Sequence, residues 1–194
     1  GDLSGALALS DAALQVDPDA ADAALLRLRH AGSLKPTERL VVLRTARACL
    51  GGSAPLFEMM ADAAERALDD RAYGEAVEAW FSLSPIDADA ARRRLRHRLK
   101  SADAARLTEA VSDAISVGPS TPELDEAVRD GLRALAGMGA VIQATELALR
   151  AADALGGDHA SWSEQASDLA RSSGRADLRI AGLERAVARA RGSK

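Results

Sequence analysis

The chain has 194 residues, 47% hydrophobic but only 3% aromatic, so Ala, Leu and Val carry the apolar content. Ala has the highest helix propensity and lets helices approach closely, so this mix points to an all-α protein and excludes the aromatic- and β-branched-rich make-up of a β-sandwich. A net charge of −4 excludes the overall basicity usual in a nucleic-acid-binding domain. Apolar residues recur at i, i+3, i+4 and i+7, interrupted where Gly, Pro, Ser and Asp cluster. The first predicted helix covers residues 3–16 and closes at Asp17-Pro18. Further breaks fall at Gly32-Ser33, Gly51-Gly52-Ser53, Asp69-Asp70, Ser84-Pro85, Ser101, Gly118-Pro119, Gly137-Met138-Gly139, Gly156-Gly157 and Gly174. They leave about eleven helices of ordinary globular length. Thr121-Pro122-Glu123 puts Pro where a helix accepts it, just after a capping hydroxyl. Ser161-Trp162-Ser163-Glu164 has capping-box spacing.

Alternate helices repeat a triplet of positions: Ala6/Ser10/Ala13, Arg39/Leu43/Ala46, Ala76/Trp80/Leu83, Leu107/Val111/Ala114, Ala144/Ala148/Ala151 and Arg179/Leu183/Ala186. The last members fall at 13, 46, 83, 114, 151 and 186, successive steps of 33, 37, 31, 37 and 35. The mean is near the roughly 34-residue period of a helix-turn-helix repeat. A 4+3 spacing keeps each triplet on one helical face, where small residues let a second helix nest between its neighbours. Trp80 and Leu183 are therefore expected to be buried.

At this point the residues resemble a family. "GDLSGALALSDAALQVDPDA" resembles the second half of a tetratricopeptide repeat, with a Gly-Asp turn, Ala-x6-Ala spacing and a closing Asp-Pro. "MMADAAERALDDRAYGEAVEAWFSL" is similar to most of another repeat, and "WSEQASDLARSSGRADLRIAGLERAVARA" to a third, with Gly174 at its inter-helix turn. Arg39 and Arg179 stand where the family favours Ala, and "DADAARRRLRHRLKS" departs from the pattern. The resemblance implies a right-handed α-α superhelix whose first helices line a concave groove, and a role in protein–protein interaction. Residues 1–194 are then expected to form one repeat domain that begins in mid-repeat, as a fragment of a longer chain; the competing reading makes helix 3–16 an N-terminal cap. Helix 3–16 should carry apolar surface open to self-association. Heavy use of Ala, Arg and Gly fits a GC-rich bacterial coding sequence.

No catalytic motif is found: there is no H-E-x-x-H, G-x-S-x-G, Walker loop or Cys pair. No enzyme activity, cofactor or metal site is expected. His30, His97 and His159 fall on different predicted hairpins without ligand spacing and read as surface residues. Cys49 is alone, which excludes an internal disulfide and fits the cytosol, with the periplasm the alternative where a longer parent chain carries a signal, and it reads as a buried, inert thiol. Gly137-Met138-Gly139 reads as a turn, because no strand precedes it. No run of about twenty apolar residues encodes a membrane span, and no apolar signal segment is present. Trp80 occupies a core position, whereas Trp162, near a helix start, is expected to be half exposed.

One charged feature rises above this background: "ARRRLRHRLK". Ala91, Leu95 and Leu99 form its apolar stripe, leaving Arg92, Arg96 and Lys100 on an adjoining face. In the following first helix, Val128, Leu132 and Leu135 are apolar and flanked by Arg129 and Arg133. In the groove register, Arg92, Arg96, Lys100, Arg129 and Arg133 form a basic stretch that receives an acidic peptide or chain terminus. Arg94 and Arg98 point elsewhere. The competing reading is a solvated cationic face neutralised by nearby Asp and Glu. The expected function is a scaffold or adaptor that docks a protein or peptide without turnover. A regulatory, ligand-sensing module is the alternative. A binder of nucleic acid or another anionic polymer is disfavoured by the net charge and the scarcity of stacking aromatics.

Overall fold

The computed structural model describes residues 3–17, 20–117, 121–155 and 159–174, together with 176, 177, 180 and 182–184. Among these residues there is no strand. Ten α-helices are described: α1 (Leu3–Val16), α2 (Ala21–His30), α3 (Pro36–Leu50), α4 (Ala54–Ala67), α5 (Asp70–Leu83), α6 (Ala88–Arg98), α7 (Ala104–Ser116), α8 (Pro122–Gly137), α9 (Val141–Ala154) and α10 (His159–Ser173). A short 3-10 turn at Ala31–Ser33 closes α2. The chain divides into two compact units, Gly1–Ser84 and Pro85–Lys194.

The predicted breaks that fall on described residues are turns or helix boundaries, and side chains fix several of them. Asp69 accepts a hydrogen bond from the Ala72 N–H at the start of α5, and Asp87 accepts from Asp89 and Ala90 at the start of α6. Asp103 and Thr121 cap α7 and α8 in the same way. Each cap satisfies a backbone donor that has no intrahelical partner, at about 0.5–2 kcal/mol. The breaks at Gly118-Pro119 and Gly156-Gly157 lie outside the described residues. Ser161 is not a cap, because α10 already begins at His159.

In the first unit each helix packs on the next, from α1 to α5, and α4 against α5 is the most extensive pair. Short turns make these neighbours antiparallel. Leu43, Ala46, Ala61, Ala63 and Ala64 are at most 0% exposed, and Trp80 is buried as its repeat position requires. The Arg47 guanidinium lies 5.2 Å from the centre of the Phe57 ring, tying α3 to α4. On α1, Leu9 and Val16 are 74% and 88% exposed, an apolar face that α2 leaves open. Cys49 is half-buried rather than buried, since α3 turns that side of its last turn partly to solvent.

The second unit shows the repeat most clearly. Helix α6 packs on α7 and also on α8; α7 packs on α8 and also on α9; α9 packs on α10. First helices (α6, α8) thus meet first helices, and second helices (α7, α9) meet second helices. The triplets Leu107/Val111/Ala114 and Ala144/Ala148/Ala151 are entirely buried between them. Leu124, Val128, Leu132 and Leu135 bury one side of α8 completely, each contributing about 1.5–3 kcal/mol. Gly131 shares that side: a Cβ there would lie 2.6 Å from Val111 Cγ2 and 3.3 Å from Leu95 Cδ1. The missing side chain is what lets α8 approach α6 and α7.

Two positions correct the repeat register. Leu183 is 51% exposed, because Gly182 is the buried residue, 3.5 Å from Leu149 Cδ2 as measured from a Cβ built on it. One residue further along a helix is about 100° around it, so Leu183 turns away from α9. Leu83 is likewise 53% exposed at the end of α5. Arg179 and Ala186 lie outside the described residues.

Candidate functional site

The candidate site lies on the first helices of the second unit. Buried Ala90, Ala91 and Leu95 turn one side of α6 inward. That orientation leaves Arg92 partly covered and Arg96 about half exposed, with Lys100 exposed just past the helix end. On α8, burial of Val128 and Leu132 sets Arg129 at the α10 boundary and Arg133 in solvent, 67% exposed. Leu99 is half-buried, so the apolar stripe of α6 weakens at its end.

Each of these guanidiniums is already engaged. Arg92 and Arg93 both bond Asp89, each through Nε at 2.9 Å. Burial alone would raise the Asp89 carboxyl, but the hydrogen bond from Arg92 and the charges of Arg93 and Arg92 outweigh it and hold the group below the usual carboxylate range. Arg96 reaches Glu126 on α8 at 3.8 Å. Arg133 pairs with Asp130 one turn back, at 3.1 Å. Arg129 differs: its guanidinium lies 4.1 Å from the centre of the Trp162 ring, and its Nη1 donates to Gln165 Oε1 at 3.3 Å. Gln165 Nε2 in turn faces the Arg129 carbonyl at 3.5 Å. Trp162 is fully buried, not half exposed. The earlier start of α10 carries the ring under Arg129.

Between α8 and α10 a cleft of about 470 Å³ is lined by Arg129, Arg133, Ser161, Glu164, Gln165, Asp168 and Leu169. A smaller hollow of about 290 Å³ lies where Asp89 and Arg92 of α6 meet Thr121 and Glu123. On the second-helix side, α7 and α9 enclose about 390 Å³, where Arg150 Nη1 donates to Ser112 Oγ at 3.1 Å.

Arg94 points away from Arg92 and Arg96, into the hairpin. It is 7% exposed, with Nη1 2.5 Å from Asp113 and Nη2 3.1 Å from Glu109, both on α7. It therefore joins the two helices of one hairpin. The signal was present in the sequence: Arg94 lies three residues after Ala91, and Glu109 and Asp113 are spaced i, i+4 on one face of the next helix. The acidic and amide groups of α10 (Glu164, Gln165 and Asp168) were also passed over, because nothing in α10 alone marks the wall of a cleft. Arg98 is half-buried, as are His30 and His97, and the His159 side chain lies outside the description. Among the described residues no group of three His, Cys, Asp or Glu side chains is placed to hold a metal ion, and no helix is long and apolar enough to cross a membrane.

Comparison with known proteins places the fold. No family model matches the chain, and no curated protein matches it. Among solved structures, the crystal structure of MamA protein is similar, with a TM-score of 0.51 and 20% identity, covering 79% of this chain and 82% of that one. MamA contains tetratricopeptide repeats, and the chain shares this helical-repeat fold.

Proposed function

We propose that the chain is a protein-interaction module that docks a segment of a partner protein on the first-helix face of the second unit, formed by α6, α8 and α10. The observation that carries this reading is the pair Arg96 and Arg133: guanidiniums on adjacent first helices, 49% and 67% exposed, with Arg133 lining an open cleft. Their present carboxylate partners are surface groups whose pairing contributes about 0–1 kcal/mol, so a docking carboxylate can replace them at little cost. Guanidinium binds carboxylate through planar, two-point contacts. Arg92 and Arg129 are held by Asp89 and Trp162, and in this reading they shape the face more than they grip the ligand. Lys100 extends its basic end. Docking without turnover makes the chain a scaffold or adaptor.

The test is selection of displayed peptides on the wild-type protein, followed by titration against variants. The combined Arg96→Glu and Arg133→Glu change should weaken selected peptides by about tenfold or more, since each reversal replaces an attraction with a repulsion. Arg106→Glu, on exposed α7 surface, serves as the control. Equal, slight effects of both variants would return the arginines to a solvated face. Self-association through α1 is a separate reading, favoured by exposed Leu9 and Val16. Sedimentation across a concentration series tests it, and a monomer throughout refutes it.

A further inference from the structure

The charges of the face are not uniform, and their arrangement bears on what docks there. The cleft between α8 and α10 has two walls of opposite sign. Arg129 and Arg133 stand on α8, and Glu164 and Asp168 on α10. Glu164 is exposed, and no ion pair or hydrogen bond of its side chain is described. Asp168 is 70% exposed and, among the described residues, pairs with Arg171, one turn along its own helix, at 3.2 Å. Arg133 is similarly engaged, among the described residues, with Asp130 on its own helix. Such i, i+3 surface pairs are weak and readily exchanged. No ion pair across the cleft joins the two signs among the described residues. In the described contacts, Arg129 is bound to Trp162 and Gln165 rather than to Glu164 or Asp168.

We propose that the cleft between α8 and α10 recognises a mixed-charge segment of a partner protein, with a carboxylate set against Arg133 and a Lys or Arg, about three residues away, set against Glu164 and Asp168. This rests on the docking reading above and replaces a purely acidic ligand with a bipolar one. The spacing follows from the fold. Neighbouring packed helices lie about 8–10 Å apart, and a segment in the polyproline II conformation has three residues per turn and advances about 3.1 Å per residue, so charges three positions apart lie on one side of it about 9 Å from each other and reach adjacent helices. A segment carrying acid at both positions would gain at α8 and be repelled at α10. One carrying base at both would suffer the reverse. Only the bipolar segment meets opposite charge on both walls. The stacked Trp162 and the Gln165 bond fix Arg129 between the walls, so the charge pattern is held rather than free to rearrange.

The experiment uses short fluorescein-labelled peptides on one neutral background, carrying Asp-x-x-Lys, Lys-x-x-Asp, Asp-x-x-Asp or Lys-x-x-Lys, titrated by anisotropy at low salt. Both mixed orders are included because the segment can lie in either direction. The better mixed peptide should bind about fivefold more tightly than the all-acidic one, from one exposed repulsion turned into attraction. The combined Glu164→Lys and Asp168→Lys change should reverse that order. Glu164→Gln should reduce the ratio without reversing it, giving a milder variant if the double reversal fails to fold. An all-acidic peptide that binds wild type as well as either mixed one, with the ratio unmoved in both variants, overturns the bipolar inference and leaves docking standing. Absence of binding by every peptide overturns both.

Discussion

Replacing Arg94 tests whether a charged residue holds the α6–α7 hairpin together. Its side chain is 8% exposed, whereas its partners Asp113 and Glu109 are 37% and 64% exposed. The energetics are therefore those of one buried cation satisfied by two partly solvated acids. Arg94→Ala removes two buried methylenes beyond Cβ, at about 0.8 kcal/mol each. It also removes a charge-assisted bond to Asp113, about 1–1.5 kcal/mol, and a more exposed one to Glu109, about 0.5 kcal/mol after solvent screening. The total is about 3 kcal/mol. The acids left behind can rehydrate, so the loss stays below the upper range for stranding a buried charge. Arg94→Met keeps most of the stem and loses mainly the polar part, about 1.5 kcal/mol. Urea unfolding followed by far-UV circular dichroism and by Trp162 fluorescence, in a Trp80→Phe background, reads both. If Arg94→Ala unfolds within about 0.5 kcal/mol of wild type, the arginine does not hold the hairpin and the reasoning fails.

Gly131→Ala should destabilise by about 1–2 kcal/mol despite better helix propensity, because Val111, β-branched on a packed helix, cannot withdraw. Gly137→Ala, with nothing within 4 Å of its Cβ position, should be neutral or slightly stabilising; equal effects at both sites in urea unfolding would refute the close approach of α8. Asp89 has a folded value below its unfolded one, so its stabilisation is present above about pH 4 and is lost as pH falls through the lowered folded value. The carboxyl is 41% exposed, so the effect should stay under about 1 kcal/mol. Asp89→Asn should flatten that acid limb, and parallel curves for wild type and variant between about pH 5 and pH 2 would contradict it. Trp80 reports on the first unit and Trp162 on the second. If residues 1–194 unfold as one repeat domain, fluorescence and circular dichroism transitions should coincide in both Trp162→Phe and Trp80→Phe; separated midpoints within either variant would show independent units.

The helical architecture was legible because it rests on signals confined to short windows. Apolar periodicity, a Pro after Thr121 and Asp residues at the breaks each act within one or two turns. The repeat register was legible where small residues fill each triplet, as at Ala144, Ala148 and Ala151. It failed at Leu183, where the buried position belongs to Gly182. A glycine has no apolar side chain to register in a periodicity count, yet it packs a helix most closely. Trp162 was misjudged for a related reason. Its burial depends on α10 beginning two residues before the capping-box Ser, and on an arginine of α8 to cover the ring.

The charged side chains show why a site on such a fold is harder to read than the fold itself. Arg92, Arg93, Arg94 and Arg96 are near neighbours on one helix and nearly identical to the eye in a sequence. One turn of helix spreads them across its circumference, about 100° per residue, so their surroundings differ completely. Arg94 enters the hairpin and meets α7, Arg92 and Arg93 bond Asp89 on their own helix, and Arg96 reaches across to α8. Composition counts them as one basic cluster; packing separates them into structural and available charges. The same holds on the opposite wall, where Glu164 and Asp168 acquire meaning only because α10 faces α8. A groove formed by successive first helices draws each charge from a different repeat, tens of residues apart in sequence. Its ligand preference is therefore a property of repeat register, and shifting α10 by one residue would turn Glu164 and Asp168 away while leaving composition, helix content and net charge unchanged.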